Sequence, residues 1–282
     1  MTGLVTRFAP SPTGRLHLGH AFSAITVWEA ARAAGGRALL RIEDIDAGRV
    51  RPEFEAAILE DLAWLGLDWD PPLWRQSERL PVYAEALAGL TRRGLVFRCF
   101  KSRSEIAEAL NAPHGPVGPA YVGAPLPEAE EARRLAEGAP FAWRLSLKAA
   151  RAALPSDLSW TEETVDGPAS HAVDFALVGD VVLGRKDIGT SYHLASVVDD
   201  IASGVTHVIR GEDLREAAPV HAVLYALFGA PPPVYRHHRL VTDAEGKRLA
   251  KRDRARTLQS LREAGETPAS VRAMLGLPQQ TA

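Results

Sequence analysis

Strand-like and helix-like segments alternate at the start of the chain, and this alternation limits the fold more than any other feature. The sequence predicts a short strand over Gly3–Phe8, a loop rich in proline and glycine, and a helix from Leu18 to Ala34. A second strand, Ala38–Ile42, leads through an acidic loop to a helix that Pro52 is suited to begin. Because this order is typical of parallel sheets with helical crossovers, we expect an α/β fold.

The middle of the chain differs from both ends in composition. Residues 97–170 are rich in Pro, Gly and Ala and contain one isolated strand-like segment, Phe141–Leu147. We therefore predict an inserted α+β subdomain at 97–170. It would separate two halves of the core, 1–96 and 171–230, and a small C-terminal helical segment would follow at 231–282.

Later segments continue the α/β pattern. A hairpin is expected over Asp174–Arg185, a helix over Thr190–Ala202, a strand over Val205–Gly211 and a helix over Pro219–Gly229. Two short helices are expected near the C-terminal end, the second of them capped by Thr267. The α/β core is therefore predicted to resume after the insertion.

Charge and cysteine content limit the class of protein. The formal net charge is -2, so overall charge does not indicate a nucleic-acid-binding protein, although a local basic patch could still bind one. Cys99 is the only cysteine, which excludes an internal disulfide and fits a reducing compartment. No apolar run has the character of a signal peptide or the length of a membrane span, so we expect a cytoplasmic protein without membrane contact.

The loop after the first predicted strand, Pro10–His20 (PSPTGRLHLGH), has three possible roles. His17 and His20 could share a metal ion, but the glutamate of an HExxH site is missing. They could instead cap or pack a helix that follows a Pro/Gly turn. The third role is nucleotide binding, because ligands of open α/β folds bind at the carboxyl ends of the strands and helix N-termini favour phosphate. Gly19 would then let the backbone approach a base or ribose, and the histidines would donate hydrogen bonds to phosphate oxygens.

The longer stretch RFAPSPTGRLHLGH resembles the first signature of class I aminoacyl-tRNA synthetases, in its glutamyl and glutaminyl form. Lys247–Asp253 (KRLAKRD) is similar to the second signature, KMSKS, with Ala250 in place of the serine before the second lysine; taken alone, it would be a solvated basic loop. RIEDID, SYHLASVVDD and VIRGEDL also resemble stretches of that family. The resemblance implies a Rossmann-type parallel-sheet core that binds ATP. The matching ATP-binding and catalytic residues are His17, Gly19, His20 and Lys251.

The same resemblance implies a site for glutamate, which carries two carboxylates and one ammonium. Two cationic groups and one anion would suit it, and arginine binds carboxylates in bidentate fashion. Taken singly, each arginine could equally form a surface salt bridge, and Asp44 and Asp46 could belong to a solvated acidic loop. Which arginine binds which carboxylate is left open. The glutamate-binding residues implied by the resemblance are Arg7, Ser11, Glu43, Tyr192 and Arg210.

The implied reaction is the activation of L-glutamate by ATP, with Mg²⁺ sharing the phosphate charge, in the absence of tRNA. Glutamyl-tRNA synthetases continue into helical domains that read the anticodon, whereas this sequence ends at Ala282. It is therefore similar to a truncated paralogue in the glutamyl branch, which transfers glutamate to queuosine in the anticodon loop of tRNA(Asp). We accordingly expect L-glutamate and queuosine-containing tRNA(Asp) as partners, and a monomer.

The family's zinc pattern is incomplete in this sequence. Family members often carry zinc in the insertion, bound by a Cys-x-Cys pair and a Tyr-x-x-x-Cys segment. Cys99 and Tyr121 match this pattern, but Lys101 and Pro125 replace the two other cysteines. One thiolate and one tyrosine cannot close a tetrahedral zinc site, so we expect no zinc. Lys101 and Arg103 could contact RNA phosphates instead.

Three other functions stay open at this point. The chain could charge tRNA(Glu) as a catalytic fragment, or it could transfer nucleotidyl groups to small molecules, since such enzymes also use an HxGH loop. It could also be a binding module that has kept the fold and lost the chemistry, which the altered second signature would fit.

Overall fold

Parallel strands and the helices that connect them dominate the N-terminal part of the structure, a computed structural model that describes residues 3–102, 104–106, 120–242 and 256–279. The strands are β1 Val5–Phe8, β2 Arg37–Ile42, β3 Asp70–Arg75, β4 Val96–Cys99, β5 Ala142–Leu145, β6 Ser159–Thr164, β7 Gly167–Ala172, β8 Val182–Gly184, β9 His207–Gly211 and β10 Val234–His238. The helices are α1 Leu18–Ala33, α2 Pro52–Trp64, α3 Leu80–Arg92, α4 Glu128–Ala136, α5 Leu147–Ala153, α6 Phe175–Val178, α7 Tyr192–Ser203, α8 Ala218–Leu227, α9 Leu258–Glu263 and α10 Pro268–Met274. Two 3-10 segments lie at Gln76–Arg79 and Glu212–Ala217.

The chain divides into two units. The first consists of Met1–Glu78, Val205–Arg215 and Val234–Ala282. The second consists of Arg79–Gly204 and Glu216–Pro233. The borders predicted from the sequence, after residues 96, 170 and 230, stay a prediction.

The first unit is built on parallel strand pairs. Strand β2 pairs in parallel with β1 on one side and with β3 on the other, and β10 pairs in parallel with β9. Thr206, directly before β9, joins the two groups of strands, because its backbone N–H donates to the carbonyl oxygen of Val5 at 2.9 Å. The predicted α/β class is therefore confirmed, with the loops after β1 and β2 at the carboxyl ends of neighbouring strands.

The core of the first unit includes both helices of the C-terminal segment. Leu258, Leu261 and Val271 are fully buried and pack with residues of α1 and α2, such as Ile25 and Ile58. The hydroxyl of Thr267 accepts the backbone N–H of Ser270, which confirms the predicted cap of α10. The two short helices are thus part of the same core as β1 and β2.

The second unit contains an antiparallel sheet of β4, β5 and β8 and a hairpin of β6 and β7. Helices α3 and α7 pack together, and the buried Asp199 of α7 accepts hydrogen bonds from Arg79 Nε at 2.7 Å and Tyr83 Oη at 2.8 Å. This carboxylate is paired with a cation and a hydroxyl, as burial requires.

Two sequence predictions for this unit are wrong. The hairpin expected over Asp174–Arg185 is replaced by the short helix α6 and the single strand β8. The Asp174 carboxylate accepts the backbone N–H of Ala176 and caps α6, and β8 pairs with β5 rather than with its own neighbours. The strand expected at Phe141–Leu147 exists but is not isolated, since β4 and β8 flank it.

No helix among the described residues has both the length and the apolar character needed to cross a membrane.

Candidate active site

The segment His17–His20 forms the N-terminal cap of α1. His17 is the N-cap residue, and its Nδ1 accepts the backbone N–H of Gly19 at 3.1 Å. In return, Nδ1 of His20 accepts the backbone N–H of His17 at 3.2 Å. A neutral imidazole whose Nδ1 accepts a hydrogen bond carries its proton on Nε2. Each histidine therefore presents an Nε2–H donor group, at a helix start where the backbone dipoles favour an anion.

Gly19 is needed because the ring of His17 lies close to it. A Cβ atom at position 19 would stand 3.0 Å from Cε1 and 3.2 Å from Nδ1 of that ring. The rings of His17 and His20 in turn have centroids 3.9 Å apart, with 46° between their planes. A side chain at position 19 would press on the ring of His17.

The chain returns to the HLGH segment directly before α9. His17 and Thr257 form an isolated antiparallel bridge, and the backbone N–H of Leu258 donates to the carbonyl oxygen of Leu16 at 2.9 Å. Lys251, the predicted ligand of the ATP phosphates, lies outside the described residues, and so does Arg103. Thr257 and Leu258, which follow the KRLAKRD segment in the sequence, thus lie beside the start of the HLGH segment.

Arg7 and Arg210 are buried on two strands of the first unit that lie side by side, β1 and β9, with 5% and 4% of their surface exposed. Nε of Arg210 donates to Nε2 of His237 at 3.3 Å, and its guanidinium stands over the ring of Tyr235 at 5.1 Å. His237 lies opposite Arg210 in the β9–β10 register, and its ring stacks on that of Tyr235. Arg210 is thus held by an aromatic face and by a histidine.

Tyr235 and His237, which contact Arg210, were not identified from the sequence. VYRHH (Val234–His238) has the composition of a strand, but nothing in it shows that β10 pairs with β9. Only that pairing brings Tyr235 and His237 to Arg210.

Glu43 begins the loop after β2 and lies against the loop after β1. Its backbone N–H donates to the carbonyl oxygen of Pro10 at 3.0 Å, next to Ser11, and its carboxylate forms an ion pair of 3.0 Å with Arg41. Both side chains of the pair are largely buried, with 4% exposed for Arg41 and 14% for Glu43. The structure therefore brings Glu43 and the segment around Ser11 together, at the carboxyl ends of β1 and β2.

Tyr192 belongs to the second unit. It is the first residue of α7, after the N-cap Ser191, and its ring packs against His193 and His221 at centroid distances of 5.4 and 5.6 Å. Nδ1 of His193 and Nε2 of His221 share a hydrogen bond of 3.1 Å. The role of Tyr192 in binding glutamate stays a prediction.

The acidic loop after β2 is not uniformly solvated, which corrects one sequence interpretation. Asp44 is buried, and its two carboxylate oxygens accept the backbone N–H of Ser77 at 2.7 Å and its hydroxyl at 2.5 Å. Asp44 therefore anchors the turn after β3. Asp46 does lie near the surface, where it forms an ion pair with Arg49.

The residues at the family's zinc position do not fit a zinc ion. Sγ of Cys99 is 4.0 Å from Oη of Tyr121, whose pKa is raised to about 12 by burial and by the neighbouring thiol. Nζ of Lys101 lies 5.8 Å from the centroid of the Tyr121 ring, and the guanidinium of Arg144 lies 4.6 Å from it. Two cations therefore stand where a zinc ion would need anionic ligands. Among the residues that the structure describes, no group of three His, Cys, Asp or Glu side chains could hold a metal.

A parallel α/β unit whose first loop ends in a histidine-capped helix is the arrangement of a class I aminoacyl-tRNA synthetase catalytic domain. The family model described as the catalytic domain of class I tRNA synthetases for E and Q matches residues 3–279. The chain belongs to this family.

Several relatives carry a more particular name. Glutamyl-Q tRNA(Asp) synthetase of Rhodobacter capsulatus is 50% identical over 97% of this chain and 100% of its own length. The protein of the same name from Nocardia farcinica is 45% identical over 96% of this chain and 85% of its own. A glutamate–tRNA ligase of Synechococcus is 40% identical, with 56% of its length covered.

Solved structures agree on the fold. A glutamate tRNA ligase from Elizabethkingia meningosepticum, in complex with its amino acid, matches with a TM-score of 0.72 and 31% identity over 89% of this chain. The chain spans about half the length of that enzyme, 52%. Methionyl-tRNA synthetase of Mycobacterium tuberculosis matches with a TM-score of 0.60 at 12% identity, which shows the fold alone.

Proposed function

We propose that this chain activates L-glutamate with ATP to glutamyl-adenylate without tRNA and then transfers the glutamyl group to queuosine in tRNA(Asp). The observation that carries the first half is the reciprocal cap of His17 and His20, which presents two Nε2–H groups at the start of α1. The second half is supported by the relatives at 41–50% identity that are named glutamyl-Q tRNA(Asp) synthetase.

In the first step, a carboxylate oxygen of glutamate attacks the α-phosphorus of ATP. The bond from this phosphorus to the bridging oxygen of the β-phosphate breaks, and pyrophosphate leaves. Mg²⁺ bound to the phosphates would share their charge. The protein has little covalent chemistry to perform, so positioning and electrostatic stabilisation dominate. His17 and His20 stabilise charge on the phosphates through their Nε2–H groups, and Lys251 holds the departing pyrophosphate.

Glutamate is recognised by charge complementarity. Its two carboxylates require two cations, and Arg7 and Arg210 are buried on adjacent strands where water competes little. Its ammonium requires an anion, which Glu43 supplies beside the loop of Ser11. Tyr192 adds a hydroxyl donor in this account. The ion pair with Arg41 keeps the Glu43 side chain oriented.

In the second step, a hydroxyl of queuosine attacks the carbonyl carbon of the adenylate, and AMP leaves. The experiment supplies glutamate, ATP and the intact chain with tRNA(Asp) that contains queuosine, tRNA(Asp) that contains guanosine at that position, and tRNA(Glu). Labelling of the first RNA alone is expected. Labelling of tRNA(Glu) instead would replace the proposed acceptor by that of the glutamate–tRNA ligases, which are also similar to the chain. Absence of adenylate formation would indicate a binding module without catalytic activity.

A further inference from the structure

A buried carboxylate in α2 faces an arginine of α9. Asp61 is fully buried, and its Oδ1 lies 3.7 Å from Nη2 of Arg262, whose side chain is 24% exposed. The other terminal nitrogen of Arg262, Nη1, forms an ion pair of 2.6 Å with Glu60. Two consecutive carboxylates of α2 thus hold one arginine of α9.

Burial of the charged Asp61 carboxylate lowers the stability of the fold. Among the described residues, neither of its carboxylate oxygens has a hydrogen-bond donor within bonding distance. Burial raises the pKa of Asp61 to about 6, and the charges of Arg262 and Arg15 offset only part of that effect. A buried carboxylate paired at this distance destabilises a protein relative to a neutral side chain of the same shape. Folding alone therefore does not account for a charge at this position.

Helix α9 fixes the point at which the chain returns to the HLGH segment. Thr257 caps the helix and bridges to His17, and Leu258 is anchored by its backbone N–H to Leu16. A shift of α9 along α2 would move Thr257 past His17. Arg15, two residues before His17, is close enough to Glu60 and Asp61 for its charge to lower the pKa of both.

We propose that the Asp61–Arg262 pair is a positioning element that sets α9, and with it the capping residue Thr257, against the HLGH segment. This inference rests on the proposed function, because its consequence is the orientation of His17, one of the two histidines proposed to contact the ATP phosphates. Asp61 and Arg262 are positioning residues: they act through Thr257 and His17, and touch no substrate in this account.

The test is Asp61→Asn, measured by two readouts. We expect the apparent KM for ATP in glutamate-dependent ATP–pyrophosphate exchange to rise about tenfold, with the KM for glutamate nearly unchanged. We expect thermal stability to rise at pH 8, because a buried charge has been removed. Substitution of a residue that only supports folding would change activity and stability in the same direction. For Asp61→Asn we expect lower activity together with higher stability. Arg262→Gln, which leaves both carboxylates without this cation, should raise the KM for ATP in the same way.

The second readout does not depend on activity. The amide hydrogen of Leu258 is expected to exchange faster in Asp61→Asn than in the wild type, although global stability is higher. The control is Glu85→Gln, which breaks the exposed Arg92–Glu85 pair and should change neither quantity. An unchanged KM for ATP together with unchanged Leu258 protection would overturn the inference. A wild type without exchange activity would overturn the proposed function instead, and the Leu258 measurement would still decide the positioning role.

Discussion

Nδ1 of His20 accepts the backbone N–H of His17 while Nδ1 of His17 accepts that of Gly19, so the two histidines of the HLGH segment cap their own helix. The cap fixes the tautomer and the orientation of both rings. The hydrogen bonds to Nδ1 therefore stabilise the helix start, whereas the proposed contacts with the ATP phosphates use the Nε2–H groups. This separation makes the two contributions testable one at a time.

Substituting His17 by Asn should remove the chemistry and keep the cap. Asparagine is a good N-cap residue, so we expect the free energy of unfolding to stay within about 1 kcal/mol of the wild type. The Nε2–H donor is lost, and ATP–pyrophosphate exchange should fall roughly 10²- to 10³-fold. Denaturant unfolding and exchange kinetics check the two effects. An Asn variant with wild-type kcat would show that His17 is only a cap.

Gly19→Ala should lower activity although alanine favours helices. At an unobstructed helical position this change would raise stability by about 0.5–1 kcal/mol. Here the new methyl group would stand 3.0 Å from Cε1 of His17 and displace the ring, and we expect kcat/KM for ATP to fall about tenfold. Gly89→Ala in α3 is the matched control, since among the described residues its Cβ would meet only an arginine tip, at 3.8 Å. The control should gain stability and keep full activity.

The first 66 residues show how much the sequence could predict. The strands and helices there are bounded by residues whose local chemistry begins or ends an element, such as Gly35 after α1 and Pro52 at the start of α2. The α/β class and the position of the HLGH loop followed from these signals. The same holds for α10, whose Thr267 cap is readable in the sequence.

Contacts between distant segments could not be predicted. The pairing of β10 with β9, which brings His237 to Arg210, and the bridge from His17 to Thr257 depend on tertiary packing over long separations. The burial of Asp61 has no local signal either, because acidic residues in a helix are usually exposed. The hairpin prediction for DFALVGDVVLGR was wrong because Asp174 caps a short helix where the first strand of the hairpin was expected.

Arg210→Lys tests whether a planar guanidinium group is needed at the glutamate site. Lysine keeps the charge but loses bidentate geometry and the stacking on Tyr235, so we expect a loss of about 1.5–3 kcal/mol in kcat/KM for glutamate, roughly 10- to 150-fold. The KM for ATP should change little. Arg92→Lys, on the exposed face of α3, serves as the control for arginine replacement in general. Equal kinetics in Arg210→Lys and wild type would remove Arg210 from the site.

The zinc position gives a gain-of-function test. We expect the purified protein to contain no stoichiometric zinc by elemental analysis and to keep its activity in a zinc-selective chelator with Mg²⁺ in excess, because Lys101 and Arg144 stand against Tyr121. The double substitution Lys101→Cys with Pro125→Cys restores the ligand pattern and should bind one zinc ion per chain. Stoichiometric zinc in the unsubstituted protein would contradict this assignment.

Asp61 should make stability depend on pH in a defined window. The ordinary pKa of an aspartate side chain is 3.8, whereas that of Asp61 in the folded protein is about 6, so the folded state binds more protons between these values. Stability from this group is highest below pH 3.8 and is lost as the pH rises to about 6; the difference of 2.2 (6 minus 3.8) corresponds to about 3 kcal/mol at most. Asp61→Asn should therefore exceed wild-type stability above pH 6, and the two should converge near pH 4. Parallel stability curves across this range would refute the assignment.

The central claim is that this chain forms glutamyl-adenylate by itself. The most direct measurement is exchange of labelled pyrophosphate into ATP with glutamate as the amino acid, no tRNA present, and aspartate and glutamine as parallel controls. We predict exchange with glutamate alone, because Arg7, Arg210 and Glu43 together match two carboxylates and one ammonium. Exchange that requires tRNA, or that glutamine supports as well as glutamate, would contradict the account.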